Sequence, residues 1–246
     1  MIDKVLKTPE FNESPHLSSR YLTRRNPLYA NGLKRMLDFT VAFIGLMCIS
    51  PLLIILALLL IIFQGGNPIF LQERIGRKCR PFKIIKFRTM TNERDANGKL
   101  LPDEQRTTWI GKLMRSTSLD ELPELINVLI GDMAIIGPRP WLAEKLVIFT
   151  EETRQLRMRI RPGISGLAQI LGRNGLTYRQ RVSYDLRYQK HLSFTLDCKI
   201  LFYTFYKVFK REGIYERPDA LGKPAHPATP KDPETKGLRM NQSTQG

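Results

Sequence analysis

A charge-free stretch at residues 39–63 restricts the fold of this chain more than any other sequence feature. It runs for 25 consecutive positions without Asp, Glu, Lys or Arg. As a helix it would be roughly 38 Å long, which is more than the hydrocarbon layer of a bilayer, about 30 Å thick. Length alone therefore predicts a helix that spans a membrane.

Two features favour a re-entrant hairpin instead. Ser50 and Pro51 lie at the midpoint, where proline removes a backbone hydrogen bond and the serine hydroxyl can satisfy a freed carbonyl. Basic residues flank both ends, and such residues prefer the cytoplasmic side of a membrane. We therefore favour a helix-break-helix hairpin over residues 34–64 that enters and leaves on one face, although topology rules leave the spanning helix open. The flanking residues are Arg24, Arg25, Lys34 and Arg35 before the stretch, and Arg74, Arg77, Lys78, Arg80, Lys83, Lys86 and Arg88 after it.

The rest of the chain divides into an arm, a domain and a tail. Residues 1–33 are polar, contain three prolines and have no signal-peptide cleavage site, so we expect a flexible arm. Residues 65–214 are the expected main domain, mainly α-helical with a few short β-strands, including 69–71 and 82–87. Residues 215–246 are rich in proline and lack apolar periodicity, which predicts a disordered tail.

The net charge of +16 indicates an anionic partner. Seven basic residues against one acidic residue at 73–90 form a patch next to the apolar stretch. The patch suits anionic membrane lipids, at about 1 kcal/mol per basic residue, and it also suits a diphosphate. We expect no nucleic-acid partner, because no helix-turn-helix, zinc-finger or aromatic RNA-binding pattern is present. Three scattered cysteines without a CxxC motif argue against a zinc site and fit a reducing compartment.

Two amphipathic helices are expected beside the membrane. Apolar residues at 109, 110, 113 and 114 follow helical spacing, and Trp109 suits either a membrane interface or a core. Residues 195–210 carry a broad apolar band with aromatic residues and framing lysines. That pattern is typical of a helix in the interface, with a buried core helix as the alternative.

The candidate site lies within residues 116–141. Asp120 and Glu121 are adjacent, follow Arg115 closely and precede a Gly-Pro-Arg-Pro turn at 137–140. An ionised carboxylate can attack phosphorus to form an acyl-phosphate, and paired acids can hold Mg²⁺, which bridges phosphates. Neither a P-loop nor a Rossmann glycine motif is present. The combination predicts phosphoryl chemistry without a standard nucleotide-binding loop.

Two helix registers fit the acid pair. Ser118 and Glu121 match a capping box, whereas a helix that starts at Asp120 accommodates Pro123 more easily. Both registers place the two carboxylates at a helix N-terminus, where the macrodipole keeps acids ionised and attracts phosphate.

Many motifs in a fixed order over residues 33–214 resemble those of one family, the small monotopic phosphoglycosyl transferases of bacteria, also called polyprenyl-phosphate sugar-1-phosphate transferases. The motifs are Lys34-Arg35-x-x-Asp38, Ser50-Pro51, Gln72-x-Arg74-x-Gly76, Lys86-Phe87-Arg88-Thr89-Met90, Arg115-x-x-Ser118-Leu119-Asp120-Glu121-Leu122-Pro123, Gly131-Asp132-Met133, Gly137-Pro138-Arg139-Pro140 and Arg161-Pro162-Gly163-Ile164-Ser165-Gly166.

The resemblance implies an activity and a location. The enzyme would transfer a sugar-1-phosphate from a UDP-sugar to a polyprenyl phosphate, usually undecaprenyl phosphate, and release UMP. The product would begin a bacterial surface glycan. The resemblance also implies Mg²⁺, a covalent intermediate, a membrane helix broken at Ser50-Pro51, and a catalytic domain on the cytoplasmic face of the bacterial inner membrane. The oligomeric state stays open, with a homo-oligomer as one option.

The resemblance also assigns roles to residues. Asp120 would be the nucleophile, with a second role as a metal ligand, and Glu121 its partner in proton handling. The residues implied to bind phosphate are Lys86, Arg88, Arg115, Arg139, Arg161 and Arg173.

Departures from the family pattern leave the sugar open. Leu167 stands where many relatives have Trp, Leu171 where Asn is common, and Ser165 where Thr is common. The alternative function is a non-enzymatic, membrane-anchored basic scaffold that binds acidic lipid or glycan. Such a scaffold would tolerate loss of the acid pair but not loss of the basic patch.

Overall fold

The computed structural model describes residues 26, 28–172 and 175–210. This part of the chain is mostly helical with short strands. Most of the predicted arm and the whole predicted tail at 215–246 lie outside the described residues. After a π-helical segment, Tyr29–Leu33, the elements are α1 Lys34–Gln64, β1 Ile69–Ile75, β2 Pro81–Phe87, α2 Asp103–Arg106, α3 Trp109–Thr117, α4 Glu124–Ile130, β3 Ala134–Ile136, α5 Ala143–Leu146, α6 Glu151–Arg157, β4 Gly163–Ser165, α7 Leu167–Gly172, α8 Tyr178–Lys190 and α9 Phe194–Lys210.

Helix α1 contains the charge-free stretch and is long and apolar enough to cross a membrane. It runs as one 31-residue element through Pro51, so the predicted break does not appear as two separate helices. Pro51 cannot donate to the carbonyl of Met47, four residues earlier. The hydroxyl of Ser50 donates to that carbonyl at 3.0 Å, as the Ser-Pro pair predicted. The re-entrant hairpin stays a prediction.

Both ends of α1 pack against the same domain. Near its start, Ala42 is fully buried in a cluster with Ile84 and Val128. Near its end, Leu60 is buried against Phe87 in a second cluster. Most side chains between the two ends are exposed or partly exposed. The helix therefore packs against the domain near both ends, and its middle is largely exposed.

Polar contacts reinforce both attachments. Arg35 donates to the carbonyls of Val128 and Leu129, at 2.5 and 2.8 Å, where α4 ends. Cations at a helix C-terminus satisfy carbonyls that have no partner within the helix. Gln64 donates to the carbonyls of Arg88 and Met90, each at 2.9 Å. The last turn of α1 is thereby fixed to the chain that follows β2.

The described residues form two small sheets of two strands each. Strands β1 and β2 form an antiparallel hairpin, which confirms and extends both predicted strands. Strands β3 and β4 pair in parallel, with Ala134 opposite Gly163 and Ile136 opposite Ser165. The second sheet was not predicted, because a three-residue strand is too short for alternation to be read.

Helices α3 and α9 each divide their faces between core and surface. On α3, Met114 is buried while Trp109 is 62% exposed. On α9, Ile200 is buried while Phe202 and Phe205 are exposed. Each helix therefore packs one stripe into the core, as an amphipathic helix does. The interface alternative stays a prediction for the exposed faces.

A buried polar network fastens α9 to the start of α1. Asp197 accepts hydrogen bonds from the hydroxyls of Tyr29 and Tyr188, both at 2.6 Å. It also forms an ion pair with Lys34 at 2.7 Å. These donors come from the π-helical segment, α8 and α1. A buried carboxylate with three donors is well compensated, so the network holds α1 and α9 together.

Candidate active site

The acid pair lies in a 3-10 turn, Leu119–Glu121, between two helices. Ser118 precedes it with a left-handed backbone (φ 58°) that ends α3, and its side chain makes no capping bond. Helix α4 begins only at Glu124, with Pro123 as its N-cap residue. Both predicted helix registers are therefore wrong. A left-handed residue closes a helix, so the two carboxylates precede α4 rather than open it.

Glu121 joins two cations from distant parts of the chain. Lys86, 35 residues earlier, donates to Oε1 at 2.8 Å, and Arg139, 18 residues later, donates to the same oxygen at 2.5 Å. Burial opposes ionisation of Glu121, but Arg139 and Lys86 outweigh burial and hold its pKa well below the ordinary range. A carboxylate that stays ionised orients its cations, and its predicted role in proton handling stays a prediction.

Lys86 is positioned by the contact between β2 and α4. The side-chain oxygen of Asn127, on α4, accepts from the backbone N–H of Ile85 at 2.9 Å. The amide nitrogen of Asn127 donates to the carbonyl of Lys83 at 2.8 Å. Asn127 is fully buried, and buried amides that are satisfied on both sides fix register. The strand is thereby held so that Lys86 meets the residues around the start of α4.

Arg139 is positioned by a close approach of two glycine motifs. A Cβ at Gly163 would lie 2.0 Å from the nitrogen of Gly137, so no larger residue fits there. The N–H of Gly137 donates to the carbonyl of Ser165 at 2.8 Å. The buried guanidinium of Arg157 then donates to the carbonyl of Arg139 at 2.7 Å. These contacts place the Gly-Pro-Arg-Pro turn against Glu121.

Asp120 differs from its neighbour because none of the described side chains donates a hydrogen bond to its carboxylate. Burial and the charge of Glu121 raise the pKa of Asp120 to about 6, against the opposing effects of Lys86 and Arg115. At pH 7 a group with this pKa is roughly nine-tenths ionised. Asp120 therefore presents an ionised carboxylate among cations, with a hydrogen bond from its own backbone N–H and none from a described side chain. Such a carboxylate can act as a nucleophile toward a phosphate.

The structure brings only some of the predicted phosphate-binding residues to this site. Arg115, at the end of α3, donates to the hydroxyl of Thr89 at 2.8 Å and acts on the charge of Asp120. Arg88 donates to the carbonyl of Gly65, and Arg161 to that of Gly131 at 2.8 Å, so neither is among the cations that contact the acid pair. Arg173 lies outside the described residues.

Two residues at the site were missed by the sequence reasoning. Glu124 lies 2.9 Å from the same Lys86 ammonium that contacts Glu121. Arg74, on β1, shares a small cavity with Lys86 and Arg139. The sequence contained a signal for each residue. Glu124 follows Asp120 by four positions, about one helical turn, and Arg74 belongs to the motif Gln72-x-Arg74-x-Gly76.

The site fits Mg²⁺ only in one mode. No group of three or more His, Cys, Asp or Glu side chains within the described ranges is arranged to hold a metal ion. Mg²⁺ is commonly held by one or two carboxylates together with substrate phosphates and water. The unbonded carboxylate of Asp120 suits that mode, whereas Glu121 is already committed to two cations.

Comparison with known proteins decides the family. Residues 29–211 match the family described as bacterial sugar transferase. The chain belongs to the bacterial sugar transferase family. Its relatives include an uncharacterized sugar transferase, EpsL, of Bacillus subtilis strain 168, which is 44% identical over 185 residues, covering 75% of this chain and 91% of the relative. The membership confirms the resemblance seen in the motifs and the enzyme class, a phosphoglycosyl transferase, and it removes support for a non-enzymatic scaffold.

Other relatives of this sugar transferase carry more specific names. The UDP-glucose:undecaprenyl-phosphate glucose-1-phosphate transferase of Escherichia coli strain K12 is 39% identical over 197 residues, covering 74% of this chain and 41% of the relative. The undecaprenyl-phosphate galactose phosphotransferase of Salmonella typhimurium is 36% identical over 200 residues, covering 74% of this chain and 42% of the relative. The chain thus spans less than half the length of these two relatives.

Proposed function

We propose that this sugar transferase moves a sugar-1-phosphate from a UDP-sugar to a polyprenyl phosphate such as undecaprenyl phosphate, and releases UMP. The relatives named for this reaction support the substrate classes. The observation that carries the proposal is the carboxylate of Asp120, which accepts no hydrogen bond from a side chain in the described part of the chain and is subject to the charges of Lys86 and Arg115. We further propose that the product begins a surface glycan, because a relative is named an exopolysaccharide production protein.

The reaction proceeds in two displacements at one phosphorus atom. An oxygen of Asp120 attacks the sugar-bearing phosphorus, and the bond to the bridging oxygen breaks, so UMP leaves with that oxygen. An oxygen of the polyprenyl phosphate then attacks the same phosphorus and releases the Asp120 carboxylate. The product is a polyprenyl-diphosphate-sugar. Splitting the transfer in this way lets one small site serve a soluble donor and a lipid acceptor in turn.

The cations of the site hold the phosphates while charge moves between oxygens. Lys86 and Arg139 are oriented by Glu121, so they require little reorganisation during the reaction. Mg²⁺, held by Asp120 and the diphosphate, would supply further neutralisation of the leaving phosphate.

We propose that α1 enters one leaflet and returns to the face on which the domain lies. The support is the attachment of both ends of α1 to one domain, through Ala42 and through Leu60. A straight span would carry one of these ends to the opposite side of the membrane. We place the domain at the inner membrane and facing the cytoplasm, where UDP-sugars are made.

A surface beside α1 suits the membrane interface. Trp109 packs edge-to-face on Phe63, near the end of α1, with ring centroids 5.5 Å apart. Phe202 and Phe205 are exposed on α9. Exposed aromatic residues of this kind settle at headgroup depth, and the basic patch at 73–90 would bind anionic lipids beside them.

Replacing Asp120 tests the proposed chemistry. Asp120→Asn keeps the shape but removes the nucleophile, so UMP release from a UDP-sugar should fall by at least about a thousandfold. Membrane association should be unchanged. Asp103→Asn, at an exposed position on α2, is the control and should keep full activity. Substantial UMP release by Asp120→Asn would disprove the nucleophile assignment.

Labelling tests the topology. Single cysteines placed at the two termini of the full chain, in a background without the native cysteines, should both react with an impermeant thiol reagent only from the cytoplasmic side. A cysteine introduced at exposed Lys99, in the domain, is the matched control. If the termini react from opposite sides, α1 spans the membrane.

A further inference from the structure

A small cavity adjoins the ion pairs of Glu121. Its volume is about 20 Å³, which is room for one water-sized group. Three cations and one carboxylate contribute to its wall, so it is polar despite its small size. The lining residues are Arg74, Ile84, Lys86, Glu124, Arg139 and Pro140.

Glu124 is buried at this cavity with an oxygen to which no residue of the described ranges donates a hydrogen bond. The residue is 2% exposed. Its Oε1 lies 2.9 Å from the Nζ atom of Lys86, which is close enough for an ion pair, but the angles are poor for a hydrogen bond. The Nε atom of Arg74, another residue of the cavity wall, is also buried without a partner. A buried polar atom without a hydrogen bond lowers the stability of the folded protein. The placement of an acid against these cations therefore calls for a functional reason.

We propose that Glu124 is a positioning residue for phosphate binding: as a neutral acid it packs against Lys86, beside Glu121, and leaves net positive charge for the diphosphate of the nucleotide. Arg74, Lys86 and Arg139 carry three positive charges and Glu121 carries one negative charge. With Glu124 neutral, two positive charges are uncompensated. With Glu124 ionised, one is. The inference rests on the proposed function, since the nucleotide diphosphate is its ligand.

The charged groups around Glu124 agree with this role. Lys86 and Arg74 face it from the β1–β2 hairpin, Arg139 from the Gly-Pro-Arg-Pro turn and Glu121 from the 3-10 turn. Burial and the charge of Glu121 raise the pKa of Glu124 to about 7, against Lys86 and Arg139. Glu124 therefore loses its proton as the pH rises through about 7, and anion binding should weaken over the same range. By linkage, a bound diphosphate favours the protonated form.

Binding of UDP tests the inference without depending on turnover. The full-length protein in detergent is titrated calorimetrically with UDP at pH 6.5 and 8.5, as wild type, Glu124→Gln and Glu124→Ala. Glutamine mimics the neutral acid, so Glu124→Gln should bind as tightly as wild type at pH 6.5 and about tenfold more tightly at pH 8.5. Glu124→Ala, which leaves Lys86 unsupported, should bind about tenfold more weakly than Glu124→Gln at both values. The titration of UDP itself affects all three proteins equally.

The charge-matched control is Glu152→Gln, at an exposed position on α6, which should follow wild type at both pH values. The inference is overturned if Glu124→Gln binds more weakly than wild type, if the two have the same ratio at both pH values, or if Glu124→Ala binds as tightly as Glu124→Gln. Absence of UDP binding by wild type also overturns it. UMP release by wild type is measured in parallel. The expected UDP pattern without UMP release would contradict the proposed function alone, and UMP release without the pattern would contradict this inference alone.

Discussion

The ionisation of Asp120 offers a test in which two substitutions at one cluster shift the acidic limb of the pH–rate profile in opposite directions. Asp120 must be ionised to attack phosphorus, and its pKa of about 6 sets the acidic limit of the reaction. Glu121 raises that pKa through its negative charge, whereas Lys86 lowers it. Glu121→Gln should therefore move the acidic limb to lower pH, and Lys86→Met should move it to higher pH.

The size of the effect follows from the pKa and from the proximity of the charges. The first step in wild type should run at about half its maximal rate at pH 6 and at about a tenth at pH 5. A neighbouring charge inside a cluster of this kind shifts a pKa by about one unit or more. The two variants should then reach half of their own maxima near pH 5 and pH 7 respectively.

The assay isolates the first displacement. UMP formed in a single burst from a UDP-sugar, without a lipid acceptor, is measured between pH 4.5 and 8.5 by rapid quenching. Leaving out the acceptor removes the titration of the lipid phosphate from the profile. Each variant is normalised to its own maximum, because loss of Lys86 or Glu121 also lowers the rate itself. Glu152→Gln and Lys99→Met are charge-matched controls at exposed positions and should reproduce the wild-type limb.

The direction of the shifts decides the outcome. If both variants move the limb the same way, the cluster does not act on Asp120 through charge. If neither moves it, the acidic limb belongs to a group other than Asp120.

Two structural substitutions give further tests. Asp197→Ala removes the partner of Lys34 inside the polar network and should destabilise the protein by about 3–5 kcal/mol. Asp103→Ala, which breaks an exposed pair, should change stability by less than about 1 kcal/mol, and equal melting temperatures for the two would contradict the network's role. Gly163→Ala should lower both the melting temperature and UMP release, because a Cβ there would lie 2.0 Å from the nitrogen of Gly137. Wild-type activity in Gly163→Ala would show that the glycine contact does not position the site.

The sequence predicted the elements that depend on local pattern. The charge-free helix, the two strands of the first hairpin and the amphipathic helices near 109–114 and 195–210 follow from hydropathy and spacing. The turn around Asp120 did not follow, because it depends on the left-handed backbone of Ser118. A non-glycine residue adopts that conformation only where the surrounding structure requires it, so local sequence could not indicate it.

The phosphate-binding residues show the same limit. Lys86 and Arg88 are two positions apart, so strand alternation would place both side chains on one face. Only Lys86 contacts Glu121. Strand β2 ends at Phe87, so Arg88 lies beyond the pairing and turns to the carbonyl of Gly65. The sequence motif contains both Lys86 and Arg88 but does not indicate that the strand ends between them.

By itself, the sequence determined that this protein has a long apolar helix, an acid pair among basic residues and the motifs of a sugar transferase. Only the tertiary structure decided which charges meet. Glu121 contacts Lys86, 35 residues earlier, and Arg139, 18 residues later, and Glu124 at the start of α4 is buried against the same lysine. The physical reason is that burial and the distance between charges set a pKa, and both depend on how separate segments pack.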